Sequence, residues 1–198
     1  MFENIYLLSF LVVYFLIVFV VPSIWVKRKT GINPYVFKNT DSAHDFLGKV
    51  SAPITSLIFI VALINLFYTA GLQYLAPFTW LEILSLKITG YATIHLALLW
   101  IVIAQVQMSN SWRIGIDLSA KTKLKTNGLF SVSRNPVFLG MLATLLGVFL
   151  IIPNAITLLT FVSSTLLFQV QVRLEEEYLK GVHSEAYSQY CQKVGRWF

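Results

Sequence analysis

Polar and charged residues gather in two short segments of a chain that is otherwise strongly apolar. The first segment, residues 128–140, contains Arg134, Asn135 and Pro136, and the second, residues 173–177, reads Arg-Leu-Glu-Glu-Glu. Near a bilayer, ionisable groups are tolerated where they face protein, water or a ligand, because an unpaired charge in hydrocarbon is costly. We therefore expect the two segments to belong to one functional site.

The chemistry of these residues suits a small zwitterionic ligand. Pro136 with Asn135 before it predicts the start of a helix capped by Asn135, where free N–H groups and the helix dipole favour a carboxylate or phosphate. Carboxylates at Glu175 and Glu176 suit an ammonium group or ribose hydroxyls. Aromatic rings can stack on an adenine or face a sulfonium cation, and S-adenosylmethionine carries all of these groups. The candidate rings are those of Trp112, Phe130 and Phe138.

The composition places these residues in a membrane protein. The 198 residues are 57% hydrophobic and 12% charged, with a mean hydropathy of +0.71, which excludes an ordinary soluble domain. A helix needs about 20 apolar residues to cross a hydrocarbon core of about 30 Å. We predict an all-α integral membrane protein with five transmembrane helices and a C-terminal amphipathic cytosolic helix. The predicted spans are residues 5–26, 53–74, 89–108, 137–152 and 155–172.

Pro153 and Asn154 interrupt the last long apolar run of the sequence. These residue types are typical of turns, so the fourth and fifth spans are predicted to form a tight antiparallel hairpin. The hairpin returns the chain to Arg173 and the glutamates, beside the place where Asn135 began it. Residues far apart in the sequence are thereby predicted to be neighbours.

The chain is interpreted as a single membrane domain. Residues 1–108 are predicted to form a three-helix scaffold that includes a polar loop at residues 31–50. Residues 109–198 form the cofactor-binding half, with a helical hairpin at residues 136–172 and a cytosolic tail. Lys and Arg cluster in the first loop, the third loop and the tail. Because cytosolic loops carry the excess of these residues, we expect the N-terminus outside and the C-terminus in the cytosol of an inner or plasma membrane.

Charge and cysteine content narrow the choice of partners. The net charge of +6 is explained by basic loops facing an anionic leaflet, and no nucleic-acid-binding module is recognised. Membrane lipids are therefore expected partners and nucleic acids are not. Cys191 is the only cysteine, so no internal disulfide is expected, and no residue spacing suggests a metal site.

Some of the charged and polar residues also have a purely structural interpretation. Arg173 and Glu177 are four residues apart and would pair weakly along one helix face. Glu176 and Glu177 are expected to be solvated at the end of a span. His95, inside the third span, is expected to donate a hydrogen bond to a neighbouring helix.

Four motifs follow one another in the second half of the sequence. They are Asn110-x-Trp112, then Leu124-x-Thr126-x-Gly128-x-Phe130-x-x-x-Arg134-Asn135-Pro136-x-Phe138-x-Gly140, then Glu175-Glu176-x-x-Leu179, and Tyr187-x-x-Tyr190-x-x-x-Val194-x-Arg196. In this order around a short hairpin, they resemble the isoprenylcysteine carboxyl methyltransferase and phospholipid methyltransferase superfamily of integral membrane enzymes. The resemblance covers residues 108–198.

The resemblance implies an S-adenosylmethionine-dependent methyltransferase that holds its cofactor at the cytosolic face. It implies catalytic roles for Arg173 and Glu175, and acceptor binding by Gln171 and Arg173. Two positions depart from the family pattern, because Asn135 replaces the usual His and Gln171 replaces an Arg of some members. The cofactor contacts that the resemblance implies are Trp112, Lys123, Leu124, Lys125, Gly128, Phe130, Arg134, Asn135, Pro136, Val137, Phe138 and Glu175.

Other functions stay open at this point. A membrane reductase of the sterol-reductase kind would have a similar helical layout, and Lys121, Lys123 and Lys125 would then bind the 2′-phosphate of NADPH. A non-catalytic membrane subunit or a small transporter is a further alternative, although no charged residue lies inside a predicted span. For the methyltransferase, the acceptor is a lipophilic or amphiphilic molecule, either an isoprenylcysteine carboxylate, a phospholipid, a small thiol or another lipophilic acid. The sequence does not decide the oligomeric state.

Overall fold

The computed structural model describes residues 2–31, 33–37, 40–109, 112–115 and 124–198, which fold almost entirely into helices. No strand forms among them, and the only β-type pairings there are two isolated bridges, so the predicted all-α class is confirmed. The helices are α1 (Phe2–Phe15), a π-helical turn (Leu16–Val20), α2 (Val21–Thr30), α3 (Ala43–Phe67), α4 (Leu84–Met108), α5 (Pro136–Ile151) and α6 (Ala155–Lys193). Short 3-10 turns lie at Thr69–Leu75, Thr79–Leu81 and Gly128–Ser131.

Four helical stretches are long and apolar enough to cross a membrane. They are the continuous helix Glu3–Thr30, α3, α4 and α6. The predicted fourth span corresponds to α5, which is apolar but has 16 residues and is therefore only about 24 Å long. The chain is thus an integral membrane protein with four candidate spans, and the count of five stays a prediction.

The second predicted span differs from the observed helix. α3 begins at Ala43 because Ser42 lies before it and accepts a hydrogen bond from the Asp45 backbone N–H, which is the usual role of a serine at a helix start. The predicted polar loop at residues 31–50 is therefore wrong for its last part. Pro53 lies inside the helix rather than at its start, and α3 ends at Phe67.

Polar side chains join the first helix to α4 at one buried and one exposed place. The buried Gln105 side chain donates from Nε2 to the carbonyl oxygen of Val18, in the π-helical turn, at 2.7 Å. His95 contacts the Tyr91 carbonyl through Nδ1 at 2.6 Å and the Tyr6 hydroxyl through Nε2. Since a carbonyl only accepts, Nδ1 carries the hydrogen and Nε2 accepts from Tyr6. His95 thus makes the predicted interhelical hydrogen bond, but the predicted direction is wrong, because Nδ1 donates within α4 and leaves Nε2 to accept from Tyr6.

α4 and α5 pack with their backbones in close approach. A Cβ atom added at Gly147 would lie 2.6 Å from Cγ2 of Ile94 and 2.9 Å from the carbonyl oxygen of Gly90. Small residues are the usual means of close helix packing in membranes, where the gain comes from van der Waals contact rather than from the hydrophobic effect. This contact fixes the position of α5, which begins at the polar segment.

Replacing Gly147 by Ala is expected to destabilise the protein by about 1 to 3 kcal/mol, because the added methyl group overpacks the α4–α5 contact. Gly181 is the matched control, since a Cβ there meets no atom within 4 Å and alanine is the better helix former by about 1 kcal/mol. Thermal melts in one detergent compare the two variants. A Gly147→Ala protein that melts no lower than Gly181→Ala would contradict the close packing.

The hairpin between α5 and α6 forms as predicted. The Asn154 side chain accepts hydrogen bonds from the backbone N–H groups of Ile156 and Thr157, at 2.9 and 3.0 Å. The Thr157 hydroxyl in turn accepts from the Asn154 backbone N–H at 3.2 Å. This reciprocal capping starts α6 directly after α5 ends.

α6 is interrupted near its C-terminal end. Ser184 has φ 43° and ψ −111°, which bends the chain there. After the bend, Tyr187, Tyr190 and Val194 form a small buried cluster. The final residues thereby turn back toward the start of α5, where they complete the polar cluster described next.

Candidate functional site

Glu176 is the centre of a buried polar cluster at the open end of the α5–α6 hairpin. Its carboxylate accepts a hydrogen bond from Nδ2 of Asn135 at 3.2 Å. It also forms ion pairs with Arg134 at 3.2 Å and with Arg196 at 2.8 Å. The two polar segments therefore meet, as predicted. The expectation that Glu176 is solvated is wrong, because the residue is only 9% exposed, whereas Glu177 is exposed as expected.

Asn135 lies directly before α5, as predicted, but its side chain does not cap the helix. The Nδ2 group instead donates to Glu176 and to the carbonyl oxygen of Arg196 at 3.2 Å. The hydrogen bond that Nδ2 donates to the buried carboxylate is charge-assisted and therefore strong, and in the orientation that it sets, Oδ1 makes no capping hydrogen bond. The predicted cap is wrong, and the first N–H groups of α5 donate no hydrogen bond to this side chain.

The C-terminal tail lies against the segment that precedes α5. The Arg134 backbone N–H donates to the carbonyl oxygen of Gly195 at 3.1 Å, and the Tyr190 hydroxyl donates to the Phe130 carbonyl. The hydrogen bonds that Arg196 donates to Glu176 raise the pKa of the Arg196 guanidinium above its ordinary value. Arg196 therefore stays charged and holds the tail in place.

Glu175 and Gln171 form a second polar pair on α6. Nε2 of Gln171 donates to Oε1 of Glu175 at 2.8 Å. Gln171 is buried and Glu175 is partly buried. Two residues suggested for the cofactor and the acceptor are thus brought together, and one carboxylate oxygen of Glu175 has no partner from Gln171.

Arg173 lies on a different face of α6. Its side chain is exposed and donates to Gln169, to the backbone carbonyl at 2.6 Å and to the side-chain Oε1 at 2.8 Å. Residues two positions apart on a helix point in directions about 200° apart, so Arg173 and Gln171 face opposite sides. The structure places Arg173 away from the Glu176 cluster, and the suggested pairing with Glu177 is replaced by hydrogen bonds to Gln169.

Three side chains of the predicted site carry a buried polar atom that has no hydrogen-bond partner among the described residues. They are Nε1 of Trp112, Nε of Arg134 and Oε1 of Gln171. Buried polar atoms are nearly always bonded, and each exception calls for an explanation. Two donors and one acceptor of the predicted site residues are thus left without a partner among the described residues.

The other predicted cofactor residues have mainly packing roles. Trp112, Phe130 and Val137 belong to the main hydrophobic core, and Phe138 packs against Phe168 with ring centroids 5.1 Å apart. Leu124 packs against the cluster formed by Tyr187, Tyr190 and Val194. Pro136 is buried, and Lys125 is partly buried. Lys123 lies outside the described residues, as do Lys121 and Asn110.

Gly128 is the first residue of the 3-10 turn before α5, and the backbone conformation and close contacts there favour glycine. Its φ is 62°, and a Cβ there would lie 2.3 Å from the Gln107 side-chain nitrogen. The next backbone N–H, of Leu129, donates to Oε1 of Gln107 at 2.9 Å. Gly128 therefore permits the loop to be fastened to α4, which positions the segment that leads to Arg134.

Sequence reasoning assigned no site role to Ser133 and Arg196, and it named Glu176 only as a possible ligand carboxylate or as a solvated residue. The Ser133 hydroxyl accepts from the Asn135 backbone N–H at 3.1 Å. Arg196 is the last residue of the four motifs. Its position two residues after Val194 in that motif was the feature of the sequence that could have identified it as a site residue. The choice of Glu176 over its neighbours had no signal in the sequence.

A comparison with protein-family models identifies the family of the chain. A family model described as phospholipid methyltransferase matches residues 85–186, just over half of the chain. The match runs from α4 through the α5–α6 hairpin and includes Arg134, Asn135, Glu175 and Glu176. No curated protein matches the chain at a significant level. Because of the extent of the family match, the chain belongs to the phospholipid methyltransferase family and is a membrane methyltransferase.

Proposed function

We propose that the chain is an S-adenosylmethionine-dependent methyltransferase that acts at the cytosolic membrane interface on a lipophilic or amphiphilic acceptor. The observation that carries the proposal is the meeting of Arg134 and Asn135 with the Gln171–Glu176 stretch, across a hairpin that the family match includes. The acceptor is an isoprenylcysteine-like carboxylate, a phospholipid or a small thiol.

The unpaired polar atoms of this region fit the polar groups of that cofactor. Its carboxylate needs donors, which Nε of Arg134 and the uncapped start of α5 supply. Its ammonium and ribose hydroxyls need acceptors, which Oε1 of Gln171 and the carboxylate of Glu175 supply. Charge-assisted hydrogen bonds of this kind are about twice as strong as neutral ones. The donors and acceptors therefore match the two charged ends of an amino-acid group.

The two glutamates have different tasks in this proposal. Glu176 is neutralised by Arg134 and Arg196, so it holds the tail and the start of α5 together. Glu175 keeps a carboxylate oxygen free of Gln171, so it is the group available for a ligand or for a proton. Asn135 and Gln171 are amides and do not act as bases.

Methyl transfer makes limited demands on the protein. S-adenosylmethionine would supply a methyl group on a positively charged sulfur; the acceptor's nucleophile would bond to the methyl carbon in line as the carbon–sulfur bond breaks, with S-adenosylhomocysteine as the leaving group. The side chains of this chain have to align the reactants and exclude water. Because Arg173 and Gln171 face opposite sides of α6, and Arg173 donates to Gln169, we propose no acceptor contact for Arg173.

The purified protein is expected to bind S-adenosylhomocysteine with a dissociation constant in the micromolar range, equivalent to about 8 kcal/mol. Binding of NADPH is expected to be much weaker, because the carboxylates at the site do not suit its additional phosphate. Isothermal titration calorimetry with both ligands in one detergent decides the point. Binding of NADPH without binding of S-adenosylhomocysteine would favour a membrane reductase instead.

The orientation in the membrane is part of the proposal. Basic residues in the first loop, the third loop and the tail support a cytosolic C-terminus. A reporter fused after Phe198 is expected to be active only in its cytosolic form. Reporter activity on the outer side of the membrane would contradict this orientation, because the proposed site would then face away from the cytosolic cofactor.

A further inference from the structure

A cavity of about 450 Å³ opens at the end of the bundle opposite the Glu176 cluster. Its wall includes Ile151, the last residue of α5, whereas Pro136 at the first residue of α5 adjoins the Glu176 cluster. The two places are therefore about 24 Å apart along a 16-residue helix. We name this cavity the head chamber. Its polar wall is formed by Glu3, Asn4, Asn65, Glu82 and Lys87, with Tyr91 beside them.

The head chamber carries charges of both signs. The Lys87 ammonium pairs with the Glu3 carboxylate, and the two side chains are 36% and 66% exposed. An ammonium has three donors, so Lys87 can bind an anion while it contacts Glu3. Among the residues that the structure describes, the exposed Glu82 carboxylate has no ion-pair partner. The chamber thus offers one cationic position and a free anionic position.

The wall of the chamber is held in place by neighbouring helices. The Asn4 side chain donates to the carbonyl oxygen of Asn65 at 2.8 Å and to the Thr69 hydroxyl at 3.3 Å. These hydrogen bonds tie the start of α1 to the end of α3. The chamber is therefore a fixed feature of the fold and not a gap between loosely packed ends.

An apolar groove continues from the head chamber along α1 and α4. It shares Glu3 and Tyr91 with the chamber, and its other lining residues are Ile5, Tyr6, Ser9 and His95. The Tyr6 hydroxyl and the His95 imidazole bond to each other, which leaves mainly carbon atoms to face the groove. Ile5 and Tyr6 are 43% and 44% exposed. The groove lies on a surface of the membrane helices that hydrocarbon can reach.

We propose that the head chamber and the groove together bind one membrane lipid with a zwitterionic head group. The phosphate contacts Lys87, the head-group ammonium contacts Glu82, and an acyl chain lies along Tyr6 and Tyr91. A soluble zwitterion would leave the groove empty, and an anionic lipid would bring its charge toward Glu82 and Glu3. This site is separate from the proposed methyl-transfer site at the other end of the bundle and performs no chemistry.

Native mass spectrometry of the purified full-length chain tests the proposal with phosphatidylethanolamine and phosphatidylglycerol of identical acyl chains. The wild type is expected to retain one phosphatidylethanolamine in preference to phosphatidylglycerol. Glu82→Gln and Lys87→Gln are each expected to weaken this binding about tenfold, as for loss of one charge-assisted contact. Glu177→Gln, exposed at the opposite end, is the matched control and is expected to bind like the wild type.

A photoactivatable phosphatidylethanolamine adds a readout that identifies the site. Its crosslinks are expected in peptides of α1 and α4 that contain Tyr6 and Tyr91. Equal retention of the two lipids, unchanged binding in both chamber variants, or crosslinks confined to the Arg134–Glu176 end would each overturn the proposal. Binding of S-adenosylhomocysteine is expected to be unaffected by Glu82→Gln, so failure here is distinguishable from failure of the proposed enzyme activity.

Discussion

Glu176→Gln is expected to lower the stability of the folded protein by about 3 kcal/mol, at the lower end of the range for removing one partner of a buried ion pair. The substitution leaves two guanidinium groups, of Arg134 and Arg196, without their shared counter-ion. The Arg134 side chain is 11% exposed, whereas that of Arg196 is 32% exposed and can be rehydrated. The measurement is a thermal or denaturant melt of the variant in detergent.

Glu177→Gln is the control for that experiment, because Glu177 is the adjacent residue on α6 and is exposed. It is expected to melt like the wild type, since exposed charges contribute little to stability. A second expected consequence of Glu176→Gln is release of the tail, detected as faster proteolysis after Ser184. If the two variants melt alike, the Glu176 cluster is not a stabilising feature of the protein.

Glu175→Gln is expected to weaken binding of S-adenosylhomocysteine about ten- to a hundredfold. The substitution removes a charge-assisted contact worth about 1.5 to 3 kcal/mol and keeps the hydrogen-bonding shape of the side chain. Stability is expected to change little, because among the described residues the Gln171 amide is the hydrogen-bond partner of Glu175, and this amide can also bond to a glutamine. Calorimetry on the folded variant measures the change.

Glu177→Gln again provides the comparison for cofactor binding. Residues 175 and 177 point in directions about 200° apart on a helix, and the structure has Glu175 partly buried and Glu177 exposed. The Glu177→Gln variant is therefore expected to bind S-adenosylhomocysteine about as tightly as the wild type. Equal losses of affinity in the two variants would mean that the run of glutamates acts only through its total charge.

The sequence was sufficient to predict the membrane class and the pairing of distant segments. Hydrophobic length identified the helices, and Pro153 with Asn154 predicted the hairpin that brings Asn135 next to the glutamates. These features can be predicted because helix length depends on a run of neighbouring apolar residues, and the position of a turn depends on two adjacent residues. These patterns predicted correctly that Asn135 and the glutamates are neighbours in the fold.

The sequence was insufficient to predict which glutamate meets which partner. A change of one residue along α6 rotates the side chain by about 100°, and that rotation is set by packing against α3 and α5. Glu176 was therefore expected in solvent and is buried. The bend at Ser184 has no residue signal, because serine seldom adopts a positive φ. Without that bend, Arg196 would not reach Glu176.

The measurement that tests the central claim most directly is transfer of an isotope-labelled methyl group. Purified protein is incubated with methyl-labelled S-adenosylmethionine and a membrane lipid extract, and the products are analysed by mass spectrometry. We expect the wild type to label a lipophilic component, and Glu175→Gln at matched folding to lose most of that labelling. Labelling by the wild type that is equal to a protein-free control, with all candidate acceptor classes present, would contradict the assignment as an S-adenosylmethionine-dependent enzyme.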